Sequence, residues 1–224
     1  MNWTTKWYNI VTICLLVSSS WSACQETAKA DSRVERLPYY HEASFTPQWL
    51  TPAEIPDTFH RVSPFRLVNQ MGDTITEKTF ADKIYVTDFF FTSCPGICPK
   101  MMNNMHAIQD EFIHDKEVLL LSHSVTPRYD SVAVLKAYAE SNAIDESKWH
   151  LVTGEQLDIY KLGRKDYFVE ESLGEEKEID EFLHTENFVL IDKNRHIRGI
   201  YNGLNMTSVN QLIADIKTLK KEEG

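Results

Sequence analysis

The chain has 224 residues, 42% of them apolar and 25% charged, with only 8 Gly and 8 Pro. That suffices for one well-packed domain with short extensions and excludes a disordered chain, a collagen and a repeat array. Lys and Arg number 23 against 33 Asp and Glu, a net charge of −10, which argues against nucleic acid and leaves a cation or a basic protein surface as partners.

Residues 1–23 read as an export signal. Lys6 is their only charge, Ile10 to Val17 is mostly apolar, and Ser18 to Ala23 supplies the small residues of a processing site. The apolar core is too short to span a bilayer, which needs about 20 residues. Ser22-Ala23-Cys24 is similar to the end of a bacterial lipoprotein signal, which would make Cys24 the lipidated N-terminus; a plain signal peptide or an uncleaved anchor are the alternatives. From Gln25 to about Pro56 the chain is polar and aperiodic, with Pro38, Pro47, Pro52 and Pro56. This composition is expected of a tether. The organisation is thus a signal over 1–23, a polar tether over 24–58 and a domain over 59–224.

Strand and helix signals alternate from Phe65 onward. Phe65–Val68, a turn at Met71-Gly72-Asp73 and Thr74–Ile75 predict an N-terminal hairpin. Ile84–Phe91 is aromatic and β-branched, hence a central strand. Pro99–Asp115 is helical, with Met101, Met105, Ile108 and Phe112 on one face. Val118–Val125 is the next buried strand, Asp130–Ser141 a helix with Val134, Leu135 and Tyr138 inward, and His150–Val152 a short strand. Asn187–Asp192 and Ile197–Tyr201 predict a hairpin across Lys193-Asn194, and a last amphipathic helix starts near Ser208 with Val209, Leu212, Ile213, Ile216 and Leu219 on its apolar face. This order predicts an α/β fold: a thioredoxin-like mixed sheet with helices on both faces.

Four cysteines are present, and two belong to the N-terminal segment: Cys14 in the signal and Cys24 at its end. Cys94 and Cys98 are left as the thiol pair of the domain. They fall where the strand Ile84–Phe91 turns into the helix at Pro99. A helix N-terminus carries unpaired N–H groups and partial positive charge, which favour thiolate over thiol, and Pro99 suits a first turn that needs no N–H there. As a structural disulfide the pair would close a loop of about five residues and contribute roughly 2 kcal/mol, a weak staple. The spacing fits a reducible disulfide and a pair of ligands to one ion equally well.

Phe89-Phe90-Phe91-Thr92-Ser93-Cys94-Pro95-Gly96-Ile97-Cys98-Pro99 resembles the signature of the Sco/SenC family, thioredoxin-like envelope proteins that assist copper insertion into cytochrome c oxidase. Ser124-Val125-Thr126-Pro127-Arg128-Tyr129-Asp130 and Trp149-His150-Leu151-Val152-Thr153-Gly154 resemble two further family segments, and His184 before Phe188-Val189-Leu190-Ile191-Asp192 resembles the metal-binding His. The likeness spans roughly Phe65 to Leu219. Thr126 stands where the family usually has Asp, Gly96 where Asp is common, and Leu183 where Asp often precedes the His.

The resemblance implies one copper ion held by Cys94, Cys98 and His184, with Cys94 and Cys98 also a redox-active pair. Two thiolates and an imidazole suit Cu(I) and can hold Cu(II), whereas zinc usually takes a fourth ligand or an open water position. It further implies delivery to the copper-site subunit of a membrane cytochrome c oxidase or another cuproprotein. Together with the export signal it implies a bacterial envelope location, membrane-anchored through lipid on Cys24, with the domain on the periplasmic side. The alternative is an envelope thiol-disulfide reductase that keeps a partner's cysteines reduced, for which the cysteine pair alone suffices. A peroxidase is disfavoured, because Phe91 and Pro95 occupy the place where a peroxidatic cysteine has Thr three residues before it. His106 and His114 read as solvated helix residues, and Met101, Met102 and Met105 as core. Glu170–Glu181, opposed only by Lys177, reads as a solvated loop that could face a basic partner.

Overall fold

The computed structural model describes residues 31–169 and 182–224. The export signal, Cys14, Cys24 and the acidic stretch 170–181 lie outside them. The elements are β1 (Arg66–Asn69), β2 (Thr74–Thr76), β3 (Ile84–Phe90), α1 (Cys98–Phe112), β4 (Val118–Ser124), α2 (Val132–Ser141), β5 (Trp149–Thr153), α3 (Gln156–Lys161), β6 (Asn187–Ile191), β7 (Ile197–Asn202) and α4 (Met206–Glu223). The strands form one mixed sheet in the order β2-β1-β5-β4-β3-β6-β7, flanked by the four helices in a thioredoxin-like arrangement. No helix among the described residues is long and apolar enough to cross a membrane.

Every residue of β3 and β4 is buried, as expected of central strands covered on both faces. They pair in parallel, as do β4 and β5, so α1 and α2 serve as the crossovers that parallel neighbours require. On one face α1, α2 and α4 bury Met101, Met105, Ile108, Leu135, Val209, Leu212 and Ile216 against Ile84, Val86, Leu120 and Trp149. On the other, Tyr85, Phe89, Leu121 and Val189 pack against Ile159, Tyr160, Leu162 and Tyr167. Ser131 and Asn205 cap α2 and α4 by accepting N–H groups of the first turns.

Two expectations change, and one further element appears. Val134 is 39% exposed rather than inward, because α2 meets the sheet along Leu135 and Ala139 and its first turn faces solvent. After β5, where the sequence pattern marks no element, α3 continues into a π-helical turn over Leu162–Asp166. The turn brings Gly163 so close to Leu183 and Phe89 that a Cβ there would collide with Leu183 and crowd the Phe89 ring.

The second correction concerns the polar tether of 24–58. From Leu37 onward it is a strap on the domain. Leu37, Tyr39 and Phe59 are buried, Tyr39 bridges to Gln48, and Tyr40 bridges to Ile197 of β7. The buried Arg198 guanidinium donates to the carbonyls of Leu37 (2.8 Å) and Pro38 (3.1 Å), pairs with Asp192 (3.4 Å) and Glu222 (2.6 Å), and lies 3.9 Å from the Tyr39 ring centroid. Backbone carbonyls do much of the binding, so the strap needs no apolar periodicity.

Candidate functional site

The parallel strands β3, β4 and β5 end on one side of the sheet, where the loops after them gather. The loop after β3 carries both cysteines. Cys98 is the first residue of α1, and the N-cap position, Ile97, offers no side-chain acceptor to the first turn. The backbone N–H groups of Cys98, Gly96 and Ile97 lie around the Cys94 sulfur and favour its thiolate. An unfilled helix N-terminus therefore faces the sulfur.

The two thiols are electrostatically opposite. Burial alone would push Cys94 up, but hydrogen bonds from the Cys98 thiol and the three N–H groups outweigh it and hold Cys94 below the ordinary thiol value. Cys98 is 6% exposed; burial and its role as donor to Cys94 push it up to about 12, with the Asp88 charge adding in the same direction. The pair is a dithiol here, with one half-exposed, thiolate-prone sulfur and one buried sulfur behind it. This is the asymmetry of an attacking and a resolving cysteine.

His184 lies three residues before β6. That strand sits between β3 and the edge strand β7. β6 runs antiparallel to β3, pairing Tyr85 with Ile191 and Thr87 with Val189. Extending this register sets residue 184 opposite Thr92, at the cysteine end of β3. The aromatic contacts agree. Phe182 meets Phe91 edge-on at 5.7 Å and stacks on His184 at 6.3 Å, while the His184 Nδ1 lies 3.4 Å from the Phe182 carbonyl. Leu183 between them is buried, which explains an apolar residue where the family often has Asp. Among the described residues, no three His, Cys, Asp or Glu side chains converge as a metal-binding group. The structure thus brings the two sulfurs into contact and His184 to the same end of the sheet, outside that contact.

The other sequence candidates lie elsewhere. α1 runs away from the site, so His106 is about 12 Å along its axis from Cys98 at 1.5 Å per residue, and His114 lies in the turn beyond the helix end at Phe112, which is itself about 21 Å along. His106 rests edge-on against Trp149 at 5.3 Å. Met101, Met102 and Met105 are core residues, at most 6% exposed.

Two acids near the cysteines escaped the sequence reading. Asp88, inside β3, is 4% exposed and accepts from Ser122 Oγ, which in turn accepts from Trp149 Nε1 at 2.8 Å. Burial pushes Asp88 up to about 7, against the hydrogen bond from Ser122. A lone acid in an otherwise apolar strand was the signal for it. Asp130 accepts from both Thr92 and Thr126; placed just before the N-cap Ser131, it looked like ordinary helix-start chemistry.

A sequence profile of the SCO1/SenC family matches residues 53–221. The chain belongs to the SCO1/SenC family. A SCO1/SenC family lipoprotein from Bacillus anthracis str. Ames is 32% identical, with a TM-score of 0.63 over 72% of this chain and 95% of that one. The SCO1 protein homolog of Bacillus subtilis (strain 168) is 28% identical over 163 residues, 71% of this chain and 82% of the homolog. The structure of BsSco, described as a Sco family cytochrome c oxidase assembly protein with a disulfide switch, is 26% identical, with a TM-score of 0.60 over 71% of this chain and 93% of that one.

Proposed function

We propose that this SCO1/SenC chain is a copper metallochaperone that binds one copper ion through Cys94, Cys98 and His184 and assists copper-site assembly in a membrane cytochrome c oxidase. The observation that carries it is the sulfur pair at the open N-terminus of α1, where three N–H groups stabilise negative charge on Cys94. Two soft sulfurs paired at one sheet end suit Cu(I), and an added imidazole extends the set to Cu(II). His184 sits in the irregular segment ahead of β6, so it completes the set by a local movement toward the sulfurs. The Sco assembly role described for BsSco and the resemblance of the cysteine signature support this reading.

The unequal thiols favour a second reading, a thiol-disulfide reductase acting on a partner's cysteines, and the disulfide switch described for BsSco is in keeping with it. In either case lipid on Cys24 would hold the domain at the envelope membrane on the periplasmic side. Copper uptake by the two redox forms separates the readings. A disulfide has no thiolate to offer, so the reduced chain takes one copper and the oxidised chain none. Failure of the reduced chain to bind copper, with disulfide exchange intact, would leave the reductase.

A further inference from the structure

Asp130 is a buried charge at the site with no part yet in its chemistry. It is 1% exposed. Its Oδ1 accepts from Thr92 Oγ1 at 2.5 Å. Its Oδ2 accepts from Ser124 Oγ at 2.6 Å, Thr126 Oγ1 at 2.9 Å and the Thr92 N–H at 3.3 Å. These donors come from two different loops. Thr92 lies on the path from β3 to Cys94, whereas Ser124 and Thr126 lead out of β4.

Joining two loops does not require a carboxylate. Burying one costs several kcal/mol, and apolar side chains would bridge the same gap without that cost. What four converging donors add is direction, because hydrogen bonds fix orientation as apolar contacts do not. The chain itself ties Asp130 to the sulfurs: Thr92 lies two residues before Cys94, in the turn that the Cys94 N–H closes on the Phe91 carbonyl at 3.3 Å.

We propose that Asp130 is a positioning residue for the cysteine pair, clasping Thr92 to the loop after β4 and so holding the Cys94 sulfur in front of the N–H groups of Gly96, Ile97 and Cys98. It acts through hydrogen-bond geometry. When the clasp is lost those N–H groups solvate the Cys94 thiolate less well, the dithiol form loses stability, and the disulfide becomes harder to reduce. Thr126, where the family usually has Asp, belongs to the clasp as a donor. The inference deepens the proposed copper site and rests on that reading only for copper; its disulfide readout stands without it.

The test equilibrates the full-length chain with glutathione. Two electrons pass from two glutathione thiols to the Cys94–Cys98 disulfide, giving the dithiol and one glutathione disulfide. In Asp130→Ala the equilibrium constant for this reduction falls about tenfold, equivalent to about 30 mV toward a more reducing couple. Cu(I) affinity falls in parallel. Asp130→Asn stays within about twofold of wild type, because its amide oxygen can take the three Oδ2 donors while its NH2 donates to Thr92 Oγ1. Thr92→Val, which removes one hydrogen bond, shifts the constant about threefold in the same direction as Ala.

A folded Asp130→Ala with the wild-type constant, whatever its melting temperature, overturns the proposal. So does Asp130→Asn behaving like Ala, which would assign the effect to charge. If Asp130→Ala does not fold, Thr92→Val and Ser124→Ala decide: shifted constants support the clasp, and wild-type constants overturn it. A shifted disulfide constant in a chain that never binds copper would refute the copper reading and leave the clasp standing.

Discussion

Asp88 gives a stability prediction whose sign runs against the usual behaviour of acids. Its carboxyl titrates at 3.8 in an open chain and at about 7 in the fold, and burial is the cause. The folded state therefore holds the proton more tightly than the unfolded state. The resulting stability is complete below the open-chain value and is lost as pH rises from about 4 to about 7. At about 1.4 kcal/mol per decade, ionising Asp88 costs the fold roughly 4 kcal/mol by pH 8. Asp88→Asn removes the charge and keeps an oxygen for Ser122. At pH 4.5 the variant should match wild type or fall about 1 kcal/mol below it for imperfect hydrogen bonding. At pH 8 it should be the more stable protein by several kcal/mol. At 2–4 °C per kcal/mol in a domain of this size, and with about 3.5 kcal/mol of the loss falling between those pH values, the two melting temperatures should separate by roughly 7–14 °C. Comparing the two proteins cancels the contribution of His123, which burial lowers to about 3 and which acts in the opposite direction as pH falls below about 6.5. Thermal melts of both proteins at pH 4.5, 6 and 8 measure it. Parallel melting curves would refute the assignment of a buried, pH-dependent charge to Asp88.

Two further outcomes follow from the strap and the N-terminus. Arg198→Met should leave Asp192 and Glu222 without their cation at a cost of about 3–5 kcal/mol, lower the melting temperature by at least about 6 °C and open residues 37–62 to limited proteolysis; unchanged cleavage and melting would mean that the strap holds without Arg198. Cys24→Ser should leave copper binding intact but reduce membrane retention in cells, whereas full retention with residues 1–23 still attached would point to an uncleaved N-terminal anchor.

The strands were legible where side-chain pattern decides structure. Ile84–Phe91 and Val118–Val125 are apolar because both faces of β3 and β4 are covered, and the 3.6-residue stripe of Met101, Met105, Ile108 and Phe112 exists because α1 buries one face. The strap was not legible, since Arg198 grips it through the carbonyls of Leu37 and Pro38, and Tyr39-Tyr40-His41 alone carries no pattern. α3 and its π turn escaped because Ile159, Tyr160 and Leu162 are the only large apolar side chains they bury over so short a stretch, beside Gly163 and Asp166. The cysteine pair could be read by elimination and by its place at a helix start. The inequality of its thiols could not, since it depends on which sulfur the loop N–H groups face. His184 was named by resemblance alone, and the β3–β6 register sets it at the cysteine end of the sheet.

The most direct test of the copper site is a copper titration of the reduced protein, comparing wild type with His184→Ala and using His106→Ala and His114→Ala as controls. The three-ligand account predicts one copper per chain and a strong thiolate-to-Cu(II) absorption band in wild type. It predicts that affinity in His184→Ala falls by more than the roughly 10–100-fold that loss of an outer-shell partner costs, while both controls bind as wild type does. Equal affinity in wild type and His184→Ala would remove His184 from the site and contradict the account.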